Sequence, residues 1–223
     1  MDFSLIPGPL LITLRVASLA TLLAVLAGVL LAYPLSRREF GGREWLDAGF
    51  TLPLVLPPTV LGYYLIVVWG RNGWLGHWLQ EVWGVSLMFT WQGAVMAAAL
   101  VYFPLVFKAA RAAFEDVDRN QENVARTLGL SEGAVFLRVS LPLARRGILA
   151  GTMLAFARAM GEFGATLMIA GNLPGKTQTL SLAIYDAVQA GSDTLALTLV
   201  GLTSGVCILI LVASGKILRV SFK

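Results

Sequence analysis

"QENVARTLGLSEGAVFLRVSLPLARRG", residues Gln121–Gly147, decides how the rest of this chain is read. Val117, Gln121, Val124 and Leu128 recur at i, i+4, i+7 spacing, which predicts an amphipathic helix near 117–130. Asp116 or Asp118 can cap its start, and acidic residues in a first turn suit the helix dipole. Ala125 and Gly129 lie four apart and carry almost no side chain, so another backbone can approach closely. Gly129 also suits a left-handed helix stop. Pro142 marks entry into the next helix, where a missing N–H costs little. By itself such a helix reads either as a solvated connector or as a docking element.

The sequence around it is membrane material. The chain has 223 residues, 57% hydrophobic and 13% charged, with a mean hydropathy of +0.75. Soluble domains carry roughly 25% charged residues, so about half the usual charge is missing. Uncharged runs cover Val16 to Ser36, Ala48 to Gly70, Val82 to Phe107 and Thr194 to Gly215, and a run from Gly147 is broken only by Arg158 and Glu162. A spanning helix needs roughly 20 apolar residues. The expectation is an all-α polytopic membrane protein, residues 1–223 forming one domain, with five spans near 11–35, 49–70, 89–112, 145–171 and 194–217.

Charge asymmetry orients it. Arg37, Arg38 and Arg43 follow the first span, and Lys108, Arg111, Arg119, Arg126, Arg138, Arg145 and Arg146 lie between spans three and four. The tail holds Lys216, Arg219 and Lys223, whereas the opposite loops hold only Arg71 and Lys176. The positive-inside rule therefore places the amino terminus outside and the carboxyl terminus in the cytoplasm. The first apolar run has its positive charge behind it, unlike a cleaved signal, and is expected to be retained. The net charge of +4 sits at membrane edges and argues against nucleic acid. Cys207 has no partner cysteine and His77 no companion histidine, so no intrachain disulfide and no metal site is expected.

Three local features bear on function. Pro53, Pro57 and Pro58 in "TLPLVLPPTVLGYY" free carbonyls and bend span two, reading either as a pathway-lining helix or as a static kink. Arg158 and Glu162, four apart in span four, face one side of a helix. A charge in the bilayer core costs some 2.5–3.5 kcal/mol or more, so the two read as an ion pair fixing the packing near Gly161 and Gly164, or as a gate element. Glu162 would repel an oxyanion, and no cluster of donors accompanies Arg158, so no tight substrate site is expected. "AGNLPGKT", Ala170 to Thr177, fits a relaxed phosphate-loop pattern, but it follows a span, faces outside and lacks the strand that a phosphate loop needs. Thr179 or Ser181 is expected to cap a short outside helix after it, and Trp69, Trp74, Trp78 and Trp83 read as an interfacial belt.

The spacing Asn123-Val124-Ala125, Gly129, Val139, Leu141-Pro142 resembles the cytoplasmic signature of the membrane subunits of ATP-binding-cassette importers. That signature is Glu-Ala-Ala, three residues, Gly, nine residues, Ile, one residue, Leu-Pro; here Asn123 stands for the Glu, with Glu122 one place earlier. "LPLVLPP", "VARTLG" and "FARAMGEFGATLMIAGNLPGKTQTLSLAIY" resemble the molybdate-specific branch, with Phe163, Ala165 and Thr166 setting it apart from sulfate permeases.

The resemblance implies a type I importer permease fold, without the extra first span of some members. It implies a multi-pass subunit of the cell inner membrane that translocates molybdate, with tungstate and sulfate as alternatives. The subunit would work as a homodimer with two cytoplasmic ATPase subunits, which bind ATP and magnesium, and a periplasmic or extracellular oxyanion-binding protein. No cofactor and no enzymatic activity would belong to this chain. Glu122, Asn123, Val124, Ala125, Arg126, Thr127, Leu128, Gly129, Leu141 and Pro142 would then couple to the ATPase, and Pro57, Pro58, Arg158, Gly161, Glu162, Phe163 and Gly164 are the pathway or gate candidates. Two readings of other classes are a self-sufficient secondary transporter or channel, which would need ion-coupling carboxylates beyond Glu162, and a nucleotide enzyme resting on Gly175-Lys176-Thr177.

Overall fold

The computed structural model describes residues 7–220, and every regular element among them is helical. The first long helix, α1 (Pro7–Arg37), carries a stripe of buried small residues, Ala17, Ala20, Ala24, Gly28 and Ala32. It lies against α5 (Trp91–Glu115), where a Cβ on Gly28 would sit 3.1 Å from the backbone nitrogen of Phe107. Small residues let backbones close up where lipid offers no hydrophobic drive between helices. The same device seats α8 (Leu141–Ala159) on the other side of α5, with Gly147 against Ala113 and Gly151 against Ala109. These three helices form the core.

Two expected spans are broken. The stretch expected at 49–70 is α2 (Arg43–Val55) and α3 (Pro58–Trp69), bent by 112°. Pro53 stays inside α2; the break falls at Leu56-Pro57, whose ψ angles are 141° and 140°. Each precedes a proline, which pushes a residue out of the helical region, so the Pro57-Pro58 pair forces two consecutive extended residues. Pro58 then opens α3, where its missing N–H is harmless. The stretch expected at 145–171 is α8 followed by α9 (Gly164–Ala170), bent by 62° at Met160–Phe163.

Two short helices form in the loops expected to lie outside. The tryptophan-rich loop forms a helix, α4 (Trp74–Trp83), an element that the sequence pattern does not announce. Its tryptophans Trp74, Trp78 and Trp83 are exposed, as a boundary-seeking face requires. The other is α10 (Leu180–Gln189), capped by the Thr179 hydroxyl accepting from the Leu182 N–H, as expected. The last helix, α11 (Asp193–Val220), covers the expected 194–217; Lys223 lies outside the described residues. Among the described residues three helices are long and apolar enough to cross a membrane, or up to five spans if each bent pair counts as one.

Arg15 falls inside the first span, a charge the apolar pattern passed over. Its guanidinium stacks 3.6 Å from the Trp91 ring centroid, which shields the charge.

Candidate functional site

The polar segment folds as α6 (Arg119–Thr127), with Asp118 as N-cap accepting from the Asn120 N–H. Gly129 has φ +85°, the left-handed stop that the sequence predicts. The Leu130 N–H reaches the Ala125 carbonyl and the Gly129 N–H reaches that of Arg126, a Schellman ending that satisfies two orphan carbonyls.

The structure settles which face of α6 is buried, a point that spacing leaves open. Val117 is buried in the turn before α6, but Gln121, Val124 and Leu128 face out; Leu128 is 78% exposed and Val124 58%. The buried residues of α6 are Glu122 and Ala125. Ala125 therefore packs against its own chain, and only Gly129, with nothing near its Cβ position, stays open to another backbone.

Glu122 is 1% exposed. Its Oε1 accepts from Arg37 Nη2 at 2.7 Å, Arg37 Nε at 3.0 Å and the Ser140 hydroxyl at 2.6 Å. Arg37 also donates to the Val117 carbonyl at 3.3 Å. A buried carboxylate needs such partners, and here they come from the end of α1 and from the segment leading into α8. That segment is α7 (Glu132–Val135) continued by a π-helical stretch, Phe136–Ser140. Beside the clamp, the rings of Tyr33, Phe114 and Phe136 meet at centroid separations of 4.8 to 6.0 Å, joining α1, α5 and the π stretch. Arg126 adds an exposed tie to Glu132 at 2.7 Å and to Asn123 at 2.8 Å. The hydrogen bond from Arg126 holds the Glu132 carboxyl below the usual carboxylate range, and the same bond raises Arg126.

On the same side, Asp47 of α2 pairs with Lys108 at 2.6 Å and with Arg111, and Arg43 reaches Glu115 at 2.7 Å. Sequence reading counted these cations only as orientation signals. Nothing in single-residue spacing links an acid in one helix to a base some 60 residues later.

The gate candidates come together at the two breaks. Pro58, Arg158, Gly161, Glu162, Phe163 and Gly164 share the lining of one open cavity of about 530 Å³ with Tyr102 and Thr59. Pro57 is the N-cap of α3 beside it. The spans touch closely here: a Cβ on Gly164 would lie 2.6 Å from Pro58 Cβ, and one on Gly62 2.6 Å from Met168 Cβ.

The expected Arg158–Glu162 ion pair does not form among the described residues. The helix ends at Ala159, so the two residues no longer share a face. Glu162, 6% exposed, is satisfied by neutral donors instead, the Ala165 N–H at 3.0 Å and the Tyr102 hydroxyl at 2.5 Å. The first of these caps α9. Ala165 and Thr166 are fully buried and do not line the cavity, whereas Phe163 lines it and lies tilted to the Tyr185 ring at a centroid separation of 5.3 Å.

The phosphate-loop look-alike follows a helix and forms a closed turn. The buried Thr177 hydroxyl donates to the Gly171 carbonyl and accepts from the Leu173 N–H, and the Leu173 carbonyl takes the N–H groups of Lys176, Thr177 and Gln178. A hydroxyl and donors so committed leave no cradle for phosphate.

Residues 24–221 match the family described as "Binding-protein-dependent transport system inner membrane component". The chain is 43% identical to the molybdenum transport system permease protein ModB of Escherichia coli K12, over 95% of this chain and 93% of that one. It is 34% identical to the sulfate transport system permease protein CysW of Synechococcus elongatus, over 90% and 70%. Its fold superposes on a chain of the inward-facing MetNI methionine ABC transporter with a TM-score of 0.74, covering 100% of both at 16% identity.

Proposed function

The chain belongs to the binding-protein-dependent transport system inner membrane components, and from that premise we propose that it is the membrane subunit of a molybdate importer driven by a separate ATPase. Two copies pair around one pathway in the inner membrane, with amino termini outside and carboxyl termini in the cytoplasm. Each copy engages one ATPase subunit, which binds the ATP and magnesium, and an external binding protein delivers the anion. The 43% identity to a molybdenum permease along nearly the whole chain carries the choice of anion.

The geometry supports the mechanical part. A docking helix must be held rigidly on its own side and present contact surface on the other. Glu122 and Ala125 hold α6 inward, while Val124, Leu128 and the open Gly129 face out. Exposed apolar side chains on an otherwise polar helix mark a partner surface. Asn123, Arg126 and Thr127 rim that surface, and Leu141 and Pro142 start the span that α6 moves through the Ser140 link. ATP-driven closure of the ATPase pair draws the two α6 helices together, and the pull passes to α1 through Arg37 and to α8 through Ser140. The double break around Pro57, Pro58, Gly161 and Gly164 is the gate region, where small residues and prolines let the span halves pivot.

Reconstitution with the ATPase and the binding protein tests this, using competitive uptake of molybdate, tungstate and sulfate. Molybdate uptake that tungstate blocks and sulfate blocks poorly is expected. Uptake that sulfate competes equally overturns the choice of anion, and uptake without the ATPase overturns the importer reading.

A further inference from the structure

The cavity at the double break holds a cation that the fold leaves without a carboxylate partner. Arg158 lines the cavity and is exposed, and no hydrogen bond or ion pair ties its guanidinium to another described residue. Glu162 shares the lining, yet both its oxygens are engaged by Tyr102 and the Ala165 N–H. From Arg146 to Arg158 the helix rises about 18 Å, which reaches the middle of a hydrocarbon layer about 30 Å thick. An arginine at that depth faces water or protein rather than lipid. The backbone agrees: both spans are broken at this cavity, and irregular backbone within a membrane persists where it lines water or is covered by protein.

We propose that Arg158 is a transient contact for the oxyanion in transit, a fixed positive charge beside the two breaks that a tetrahedral dianion touches as it crosses. This rests on the anion-importer reading. A guanidinium offers parallel N–H donors that match the oxygens of such an anion, in charge-assisted bonds. The neighbouring Glu162 carboxylate offsets the attraction, so the contact draws the ion in without trapping it. A cavity of about 530 Å³ lies within the range of about 300–1,000 Å³ typical of small-molecule sites.

The test uses the full reconstituted importer in a Cys207→Ala background, with Arg158→Cys introduced and assembly checked by co-purification of the ATPase. Molybdate uptake falls about tenfold or more in Arg158→Cys, the scale of one charge-assisted contact. A cationic aminoethyl thiol adduct then restores much of it, whereas an anionic sulfonatoethyl adduct of similar length does not. Arg158→Lys keeps an intermediate rate. Wild-type uptake by Arg158→Cys, failure of both reagents to label it, or equal effects of the two adducts overturns the proposal. If the unsubstituted complex carries none of molybdate, tungstate or sulfate, the importer reading itself fails, which is a separate result.

Discussion

Glu122 and Arg37 are joined across 85 residues of sequence by two hydrogen bonds, at 2.7 and 3.0 Å, with both side chains largely withdrawn from solvent. Removing one member of a buried pair leaves the other charge uncompensated, which costs about 3 kcal/mol or more. Glu122→Ala is therefore expected to lower the thermal midpoint of the purified subunit markedly. The double variant Glu122→Ala, Arg37→Met recovers part of the loss, because no lone charge remains. A thermal double-mutant cycle in detergent checks both statements.

Leu128 makes the opposite prediction. It is exposed, so Leu128→Asp changes the subunit's own stability by no more than about 0.5 kcal/mol. The same substitution is expected to abolish co-purification of the ATPase. Together the two experiments separate the inner face of α6, which holds it in place, from the outer face, which we propose meets the ATPase.

At Gly129 the backbone, not the space, sets tolerance. Nothing lies near its Cβ position, but φ is +85°. Gly129→Val is expected to destabilise the end of α6 by about 1–2 kcal/mol, and Gly129→Asn by less, since Asn enters the left-handed region more readily. Gly129→Asp is expected to keep the fold and lose coupled transport, because bulk and charge would then stand where the proposed partner backbone approaches. Thermal midpoints beside ATP-dependent uptake distinguish the two effects.

Gly164→Ala and Gly62→Ala drive a methyl group against Pro58 and Met168 respectively. Overpacking of this kind costs about 1–3 kcal/mol. Each substitution is expected to spread α3 from α9, lower the thermal midpoint and slow uptake more than it weakens ATPase binding. Equal losses in uptake and ATPase binding would show that these glycines serve general packing alone.

Much of this was legible in the residues. Long apolar runs gave the spans to within a few residues, Asp118 and Gly129 fixed both ends of α6, and Thr179 capped the outer helix as its type suggests. The proline pair announced a break, but not its 112° bend, which depends on what α3 packs against. Periodicity groups Val117, Gln121, Val124 and Leu128 on one face of α6 but does not say which face is buried; tertiary partners for a carboxylate make Glu122 the anchor. The Arg158–Glu162 spacing suggests an ion pair because i, i+4 pairing presumes an unbroken helix, and Gly161 sits where the helix ends.

The π-helical stretch Phe136–Ser140 sets a counting rule on the chain. Its wider turns accommodate an extra residue relative to an α-helix, and Ser140 ends it pointed at Glu122. Delete one residue there and the stretch can relax to α geometry with its flanks near their present azimuths, but the wide turn that seats Ser140 is lost. Ser140 would then lose its carboxylate, loosening the tie between α6 and α8. A residue added there has no second bulge to absorb it and would turn what precedes the stretch by about 100°, so this segment should tolerate an insertion less well than a substitution.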